Sequence, residues 1–238
     1  MKAKLVVFRI VSSLLFSLGW TPKEFRRHVS FLKKLVDQGH EFNNVLDIGA
    51  NQGKWSSTVK SRVLRNSNFV LIEPNPRYQE SLSKIGRALS LVLSDESKIV
   101  KFYSNGGTGD SYYKEQTGHY LETDSYEVEA RRLDQLDEVP EIVDLIKIDT
   151  QGSEIDILTG FGERLSSCRA VIAEVSLYEY NQGAPKFSDV VDFMASRGFS
   201  AVEILDNHYL ADRLLAVDVA FLNRQHLPEN KQIKGVGA

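Results

Sequence analysis

The chain has 238 residues, enough for one α/β domain with a proper core, and its 42% hydrophobic and 26% charged residues are ordinary for a globular protein. Lys plus Arg total 29 against 32 Asp plus Glu, a formal net charge of -3. No basic excess points to a nucleic-acid duplex or an anionic membrane, and no nucleic-acid partner is expected. The single cysteine, Cys168, allows no intramolecular disulfide; it fits a reducing, cytoplasmic setting and reads as a small apolar residue.

Lys2, Lys4 and Arg9 precede an apolar stretch over residues 10–18. A signal peptide has such a basic start, but Arg9 sits against the run and no small-x-small cleavage site follows before Trp20. The stretch is too short to span a bilayer. Residues 1–42 therefore read as a helical extension with an amphipathic helix packed on the domain. A peripheral membrane contact through residues 1–20 is the other reading.

Residues 45–48 (VLDI) are an apolar run ending at glycines, the pattern of a buried parallel strand. Residues 54–64 read as a helix and 68–72 (NFVLI) as a second strand, stopped by Glu73-Pro74-Asn75-Pro76. Pro76 suits the first turn of a helix running to about Ile85, and residues 88–93 read as a third strand. Residues 99–103 and 126–131 look extended. Between them a glycine-rich insert with clustered tyrosines, residues 105–120, reads as a lid or substrate wall. Residues 134–138 suit a short helix, 145–148 a buried strand, and Glu154 opens the next helix. A fifth strand over 170–175, a helix over 188–197 stopped by Gly198, and strands over 200–205 and 217–222 complete the pattern. Strands alternating with helices imply right-handed crossovers and a parallel sheet. Beyond Arg224 the chain is a polar tail, residues 225–238.

Asp47-Ile48-Gly49-Ala50-Asn51-Gln52-Gly53 joins the first strand to its helix. Glycine lets a nucleotide cofactor approach the backbone, and Asn51 tolerates left-handed dihedrals where a further glycine often stands. A dinucleotide's pyrophosphate has no use for an acid before this turn, whereas a cofactor with a cationic amino-acid end does. Glu73, at the end of the second strand, can accept both ribose hydroxyls. Asp47 and Glu73 together favour S-adenosylmethionine over NAD.

VLDIGANQGKW (residues 45–55), LIEPNP (71–76), RRLDQL (131–136), LIKIDTQGSEIDILTG (145–160), IAEVSLYEYNQG (172–183) and the stretch 204–224 resemble the FkbM family of S-adenosylmethionine-dependent methyltransferases. The resemblance covers residues 43–224. It implies a Rossmann-like class I methyltransferase fold: a mostly parallel seven-stranded sheet with a last antiparallel strand. It also implies O-methylation of a hydroxyl on a small-molecule or glycan acceptor. The family pattern often has Glu where this chain has Gln151, which weakens a metal role for that turn; a divalent metal is left open and none is assigned.

Gly49, Asn51 and Gly53 are expected to carry the cofactor's amino-acid end, with Asp47 near its ammonium and Glu73 on the ribose. Ser94 and Asp95, after the third strand, are candidates for the adenine end, though they also suit a plain turn. Asp149, at the carboxyl end of the fourth strand, is the first candidate to organise or deprotonate the acceptor oxygen, with Glu174 and His208, placed in a loop, as rival bases. Tyr112, His119 and Glu154 are candidate substrate contacts, and Lys147 reads as a paired or snorkelling lysine. Two other readings stay open: an NAD-dependent oxidoreductase, and a scaffold that binds S-adenosylmethionine without catalysis.

Overall fold

The computed structural model describes residues 25–104, 109–116 and 124–226. The apolar stretch of residues 10–18, and with it the membrane-contact reading, lies outside them. Among the described residues no helix is long and apolar enough to cross a membrane.

Helix α1 (Arg26–Asp37) buries His28, Phe31, Leu32 and Leu35. That spacing is one helical face, so the helix lies on the domain by a stripe three to four residues apart. It ends in a Schellman turn: His40 N–H donates to Leu35 O at 3.0 Å and Gly39 N–H to Val36 O at 2.9 Å. Gly39 has φ 93°, a left-handed conformation that glycine takes without penalty.

Strand β1 (Asn44–Ile48) is the centre of the sheet. It pairs in parallel with β2 (Asn68–Ile72) on one side and β7 (Leu145–Ile148) on the other. The parallel run continues through β3 (Arg87–Leu89) beside β2 and β8 (Ala170–Ser176) beside β7. Strand β10 (Arg213–Asn223) is antiparallel both to β8 and to β9 (Phe199–Leu210). The order β3-β2-β1-β7-β8-β10-β9 is the mostly parallel seven-stranded sheet, with one reversed strand, that the resemblance implies.

The central strands are apolar on both faces because helices cover both. Leu46, Ile146, Val171 and Val219 point to the side of α4 (Glu154–Gly160) and α5 (Phe187–Ser196). Val45, Leu145, Ile172 and Ala220 point to the side of α1 and α2 (Lys54–Arg62), against Leu32, Trp55 and Val59. Leu32 is fully buried there; cutting such a side chain to Ala typically costs about 2–5 kcal/mol.

The structure corrects four expected elements. The third strand over 88–93 is two strands: Arg87–Leu89 stays in the large sheet, while β4 (Val92–Leu93) joins a second sheet of order β4-β6-β5 with β5 (Lys98–Ser104) and β6 (Asp124–Arg131). Between them Ser90 Oγ donates to Pro74 O at 3.0 Å, holding the chain where it leaves the first sheet. The helix after Pro76 shrinks to a tight turn (Pro76–Tyr78) and α3 (Gln79–Leu82), because the chain turns at Gly86, where a Cβ would stand 2.3 Å from Phe69 O. The helix over 134–138 is a single 3-10 turn, Leu133–Gln135. Strand β9 runs on to Leu210, so His208 stands in a strand opposite Ala216 and not in a loop.

Candidate active site

The turn after β1 holds three left-handed residues: Gly49 (φ 75°), Asn51 (φ 47°) and Gly53 (φ 71°). They do different things. A Cβ on Gly49 would stand 1.8 Å from the Asp149 carbonyl oxygen, so this glycine lets the β1 and β7 ends meet. A Cβ on Gly53 would run into Ile85 and Leu82, so this one lets α2 start against α3. Asn51 accepts its following amide through Oδ1 at 2.8 Å, the local bond that makes Asn tolerable here.

Asn51 N–H also donates to Glu73 Oε2 at 2.8 Å, and Asn75 N–H to Glu73 Oε1 at 2.9 Å. The Glu73 carboxylate is thereby fixed across the turn, with lone pairs to spare. Burial pushes its carboxyl up, and the two amides pull it back.

A cavity of about 270 Å³ opens here, at the carboxyl ends of the parallel strands. Gly49, Asn51, Glu73, Leu91, Leu93, Asp149 and Glu174 are among the residues that line it. The insert supplies a wall through Asp110, Ser111 and Tyr112. Its described part is tied down: Ser111 and Tyr103 exchange backbone bonds, and Tyr112 and Tyr113 hydroxyls both donate to Asp156 Oδ2, at 2.8 and 2.9 Å.

Several expected site residues do not reach this cavity. Asp47 is buried on the α1–α2 face of β1, where strand alternation points it; Oδ2 accepts from Ser56 Oγ at 2.6 Å, and Oδ1 has no partner among the described residues. Burial raises its carboxyl pKa, against the pull of Lys147 and Ser56. Gly53 supports packing, as above. Ser94 is fully buried and donates to Asp95 Oδ1 at 2.9 Å, and Asp95 in turn pairs with Lys98 Nζ at 2.6 Å. That Lys98 hydrogen bond holds the Asp95 carboxyl below the usual range. Both residues follow β4 in the second sheet, while Leu91, Val92 and Leu93 line the cavity. Glu154 Oε1 accepts from Thr150 N–H, Thr150 Oγ1 and Gly152 N–H at 3.1–3.2 Å, closing the turn between β7 and α4 rather than facing the cavity. His119 lies outside the described residues.

Asp149, Glu174 and His208 do come together. Lys147 Nζ donates to Asp149 Oδ2 at 2.8 Å. Burial opposes the charge on Lys147, but the Asp149 and Asp47 carboxylates outweigh it and raise its pKa. Gln151 Nε2 donates both to Asp149 Oδ1 and to Glu174 Oε1, each at 3.1 Å, while its own Oε1 accepts from Tyr180 OH at 2.9 Å. Gln151 takes φ 58° and Gly152 φ 110°, and Asn181 Nδ2 caps the Gln151 carbonyl at 2.6 Å. Burial, then the Asp149 charge, pushes the Glu174 carboxyl up.

His208 Nε2 lies 3.1 Å from Asp218 Oδ1 and 3.6 Å from Glu174 Oε2. The Asp218 bond raises the imidazole pKa. Behind it, His28 Nε2 of α1 lies 3.0 Å from Asp218 Oδ2, and Trp55 Nε1 donates to His28 Nδ1 at 3.2 Å. Indole can only donate, so His28 Nδ1 accepts and Nε2 carries the hydrogen; it lies close to Asp218 Oδ2 without the geometry of a hydrogen bond. Asp218, His28 and Gln151 were not among the expected site residues. The signal for Asp218 was present: a lone acid inside the apolar run 217–222.

The FkbM methyltransferase domain matches residues 47–201. The chain is 27% identical over 174 residues to the 2-O-methyltransferase NoeI of Sinorhizobium fredii, covering 64% of this chain and 71% of that protein. It is 23% identical over 163 residues to the hexuronic acid methyltransferase AglP of Haloferax volcanii, covering 66% of this chain and 65% of that one. Among solved structures, the plantazolicin methyltransferase BpumL overlays with a TM-score of 0.49 at 9% identity, over 91% of this chain and 90% of its own.

Proposed function

The chain belongs to the FkbM methyltransferase family, and from that premise we propose that it moves the methyl group of S-adenosylmethionine onto a sugar hydroxyl of a small-molecule or glycan acceptor. The observation that carries this reading is the Glu73 carboxylate, locked by the Asn51 and Asn75 amides in the same cavity that Asp149 and Glu174 line.

The residues present fit the cofactor. Glu73 keeps lone pairs for two ribose hydroxyls, Gly49 and Asn51 line the cavity beside it for the amino-acid end, and Leu91 and Leu93 offer apolar surface for the adenine. When bound, S-adenosylmethionine supplies a methyl group on a positively charged sulfur. The protein's share is to hold the acceptor oxygen in line with it, in a site shielded from water.

A neutral hydroxyl must lose its proton during or after attack. We assign that role to Asp149, whose oxygens accept from Lys147 on one side and Gln151 on the other. Such assistance is typically worth about 10²–10⁴ in rate. One relative's name gives methylation of an oxygen and the other's gives a hexuronic acid as acceptor. The cavity lining, however, carries Glu73, Asp110, Asp149 and Glu174 and no Lys or Arg among its described residues. An acidic wall repels a carboxylate, so a neutral sugar suits this site better than a uronate.

The test is a screen with methyl-labelled S-adenosylmethionine against matched neutral hexosides, 6-deoxyhexosides and hexuronides. Label should appear as an O-methyl ether on a neutral sugar. Preferential labelling of the hexuronide would overturn the neutral-acceptor reading, and label on nitrogen or carbon would overturn O-methylation.

A further inference from the structure

We propose that Glu174, His208 and Asp218 form a binding site for one divalent metal ion of the Mn²⁺, Co²⁺ or Zn²⁺ class, held by Glu174 Oε2, His208 Nε2 and Asp218 Oδ1. The three side chains come from the adjacent strands β8, β9 and β10, and Glu174 and Asp218 are direct partners in the sheet register. All three donor atoms lie within 4.8 Å of one another.

The arrangement of the outside donors is what points to an ion. Each carboxylate has one oxygen facing an outside partner and the other facing His208. His28 Nε2 stands against Asp218 Oδ2, and Gln151 Nε2 donates to Glu174 Oε1. That leaves Asp218 Oδ1 and Glu174 Oε2 turned to the same imidazole nitrogen, at 3.1 and 3.6 Å. One N–H points along one direction and cannot bond both well. Donors about 2.1 Å from a shared ion stand roughly 3.0–3.5 Å apart; the His208–Asp218 distance falls in that range and the His208–Glu174 distance is just beyond it. Partners that orient ligands from behind are characteristic of metal sites; here Gln151 bonds Glu174, and His28 stands next to Asp218.

Charge points the same way. Asp47, Lys147, Glu174 and Asp218 lie on the α1–α2 face of the sheet, and Asp149 follows Lys147 at the cavity edge. Four carboxylates thus face a single ammonium, which is already committed to Asp149. Two carboxylates and an imidazole match metals that accept both nitrogen and oxygen, rather than Mg²⁺ or Ca²⁺, which prefer oxygen alone. Glu174 also lines the cavity, so the ion would border the acceptor. Its use in polarising an acceptor hydroxyl rests on the methyltransfer reading; its binding does not.

The test uses the full chain, stripped with chelator and titrated with Mn²⁺ alone, following free Mn²⁺ by electron paramagnetic resonance. One Mn²⁺ should bind per chain and be displaced by Zn²⁺ and Co²⁺. Asp218→Asn and Glu174→Gln should each weaken binding roughly tenfold or more, while Asp218→Asn keeps its S-adenosylhomocysteine affinity. A second readout needs no variant: in wild-type protein, Mn²⁺ should broaden the imidazole resonances of His208 before those of His40 or His226. Lack of saturable binding at millimolar Mn²⁺, Zn²⁺ and Co²⁺ would overturn the site and leave a protonated His208 as the cation between the two acids. Broadening centred on another histidine would overturn it equally.

Discussion

Gly49 sits so close to Asp149 that a Cβ on Gly49 would stand 1.8 Å from the Asp149 carbonyl oxygen. The β1 turn and the β7 turn, which both line the cavity, are therefore in backbone contact. Gly49→Ala should force them apart and also strain a left-handed φ of 75°. A single such residue costs about 1–3 kcal/mol before any clash is counted. Thermal unfolding should show a clear loss of stability, and calorimetry a weakened S-adenosylhomocysteine site.

Asp149→Asn tests the acceptor side separately. The amide keeps the shape and can still meet Gln151, but it cannot take a proton and faces the Lys147 ammonium with a weaker dipole. Cofactor affinity should stay within a few fold while turnover falls by about 10²–10⁴. Steady-state kinetics with a neutral sugar acceptor checks this. Near-normal turnover in the folded variant would move the proton to another group.

The sequence was most informative where chemistry and local backbone coincide. The glycine turn of residues 47–53 named Gly49 and Asn51, the acid ending the second strand named Glu73, and all three line the cavity. Alternation of a strand's side chains decided what could not be read there. Asp47 points to the α1–α2 face because its neighbours Leu46 and Ile48 belong to the other core, and no motif states which core a strand will offer to solvent. The surroundings of Ser94 and Asp95 were hidden for a different reason: the apolar run 88–93 looks continuous, and a hydrogen bond from Ser90 to Pro74 marks where it changes sheets. His28 was illegible because its role depends on α1 docking over β10, some 190 residues away in the chain. In sequence it is one polar residue on an apolar helical stripe.

Cys168 is fully buried and its Sγ faces Ala170 O at 3.1 Å. Burial pushes the thiol up to about 12. The native protein should resist a thiol-specific disulfide reagent at pH 8 and react fully once unfolded. The unfolded chain gives up this proton from about pH 8.5, so the folded state loses stability as pH rises from there toward the folded value. Against Cys168→Ala, wild type should lose up to about 1.4 kcal/mol more per pH unit in that window. Chemical denaturation at several pH values measures the difference.

The central claim, that this cavity holds S-adenosylmethionine by way of Glu73, is tested most directly by calorimetric titration with S-adenosylhomocysteine, with NADH titrated in parallel. One molecule should bind per chain, and NADH should give no saturable heat. Glu73→Ala removes an acceptor for charge-assisted hydrogen bonds worth about 1.5–3 kcal/mol, so it should weaken binding roughly tenfold to a hundredfold. Folded wild-type protein that takes NADH and ignores S-adenosylhomocysteine would contradict the account.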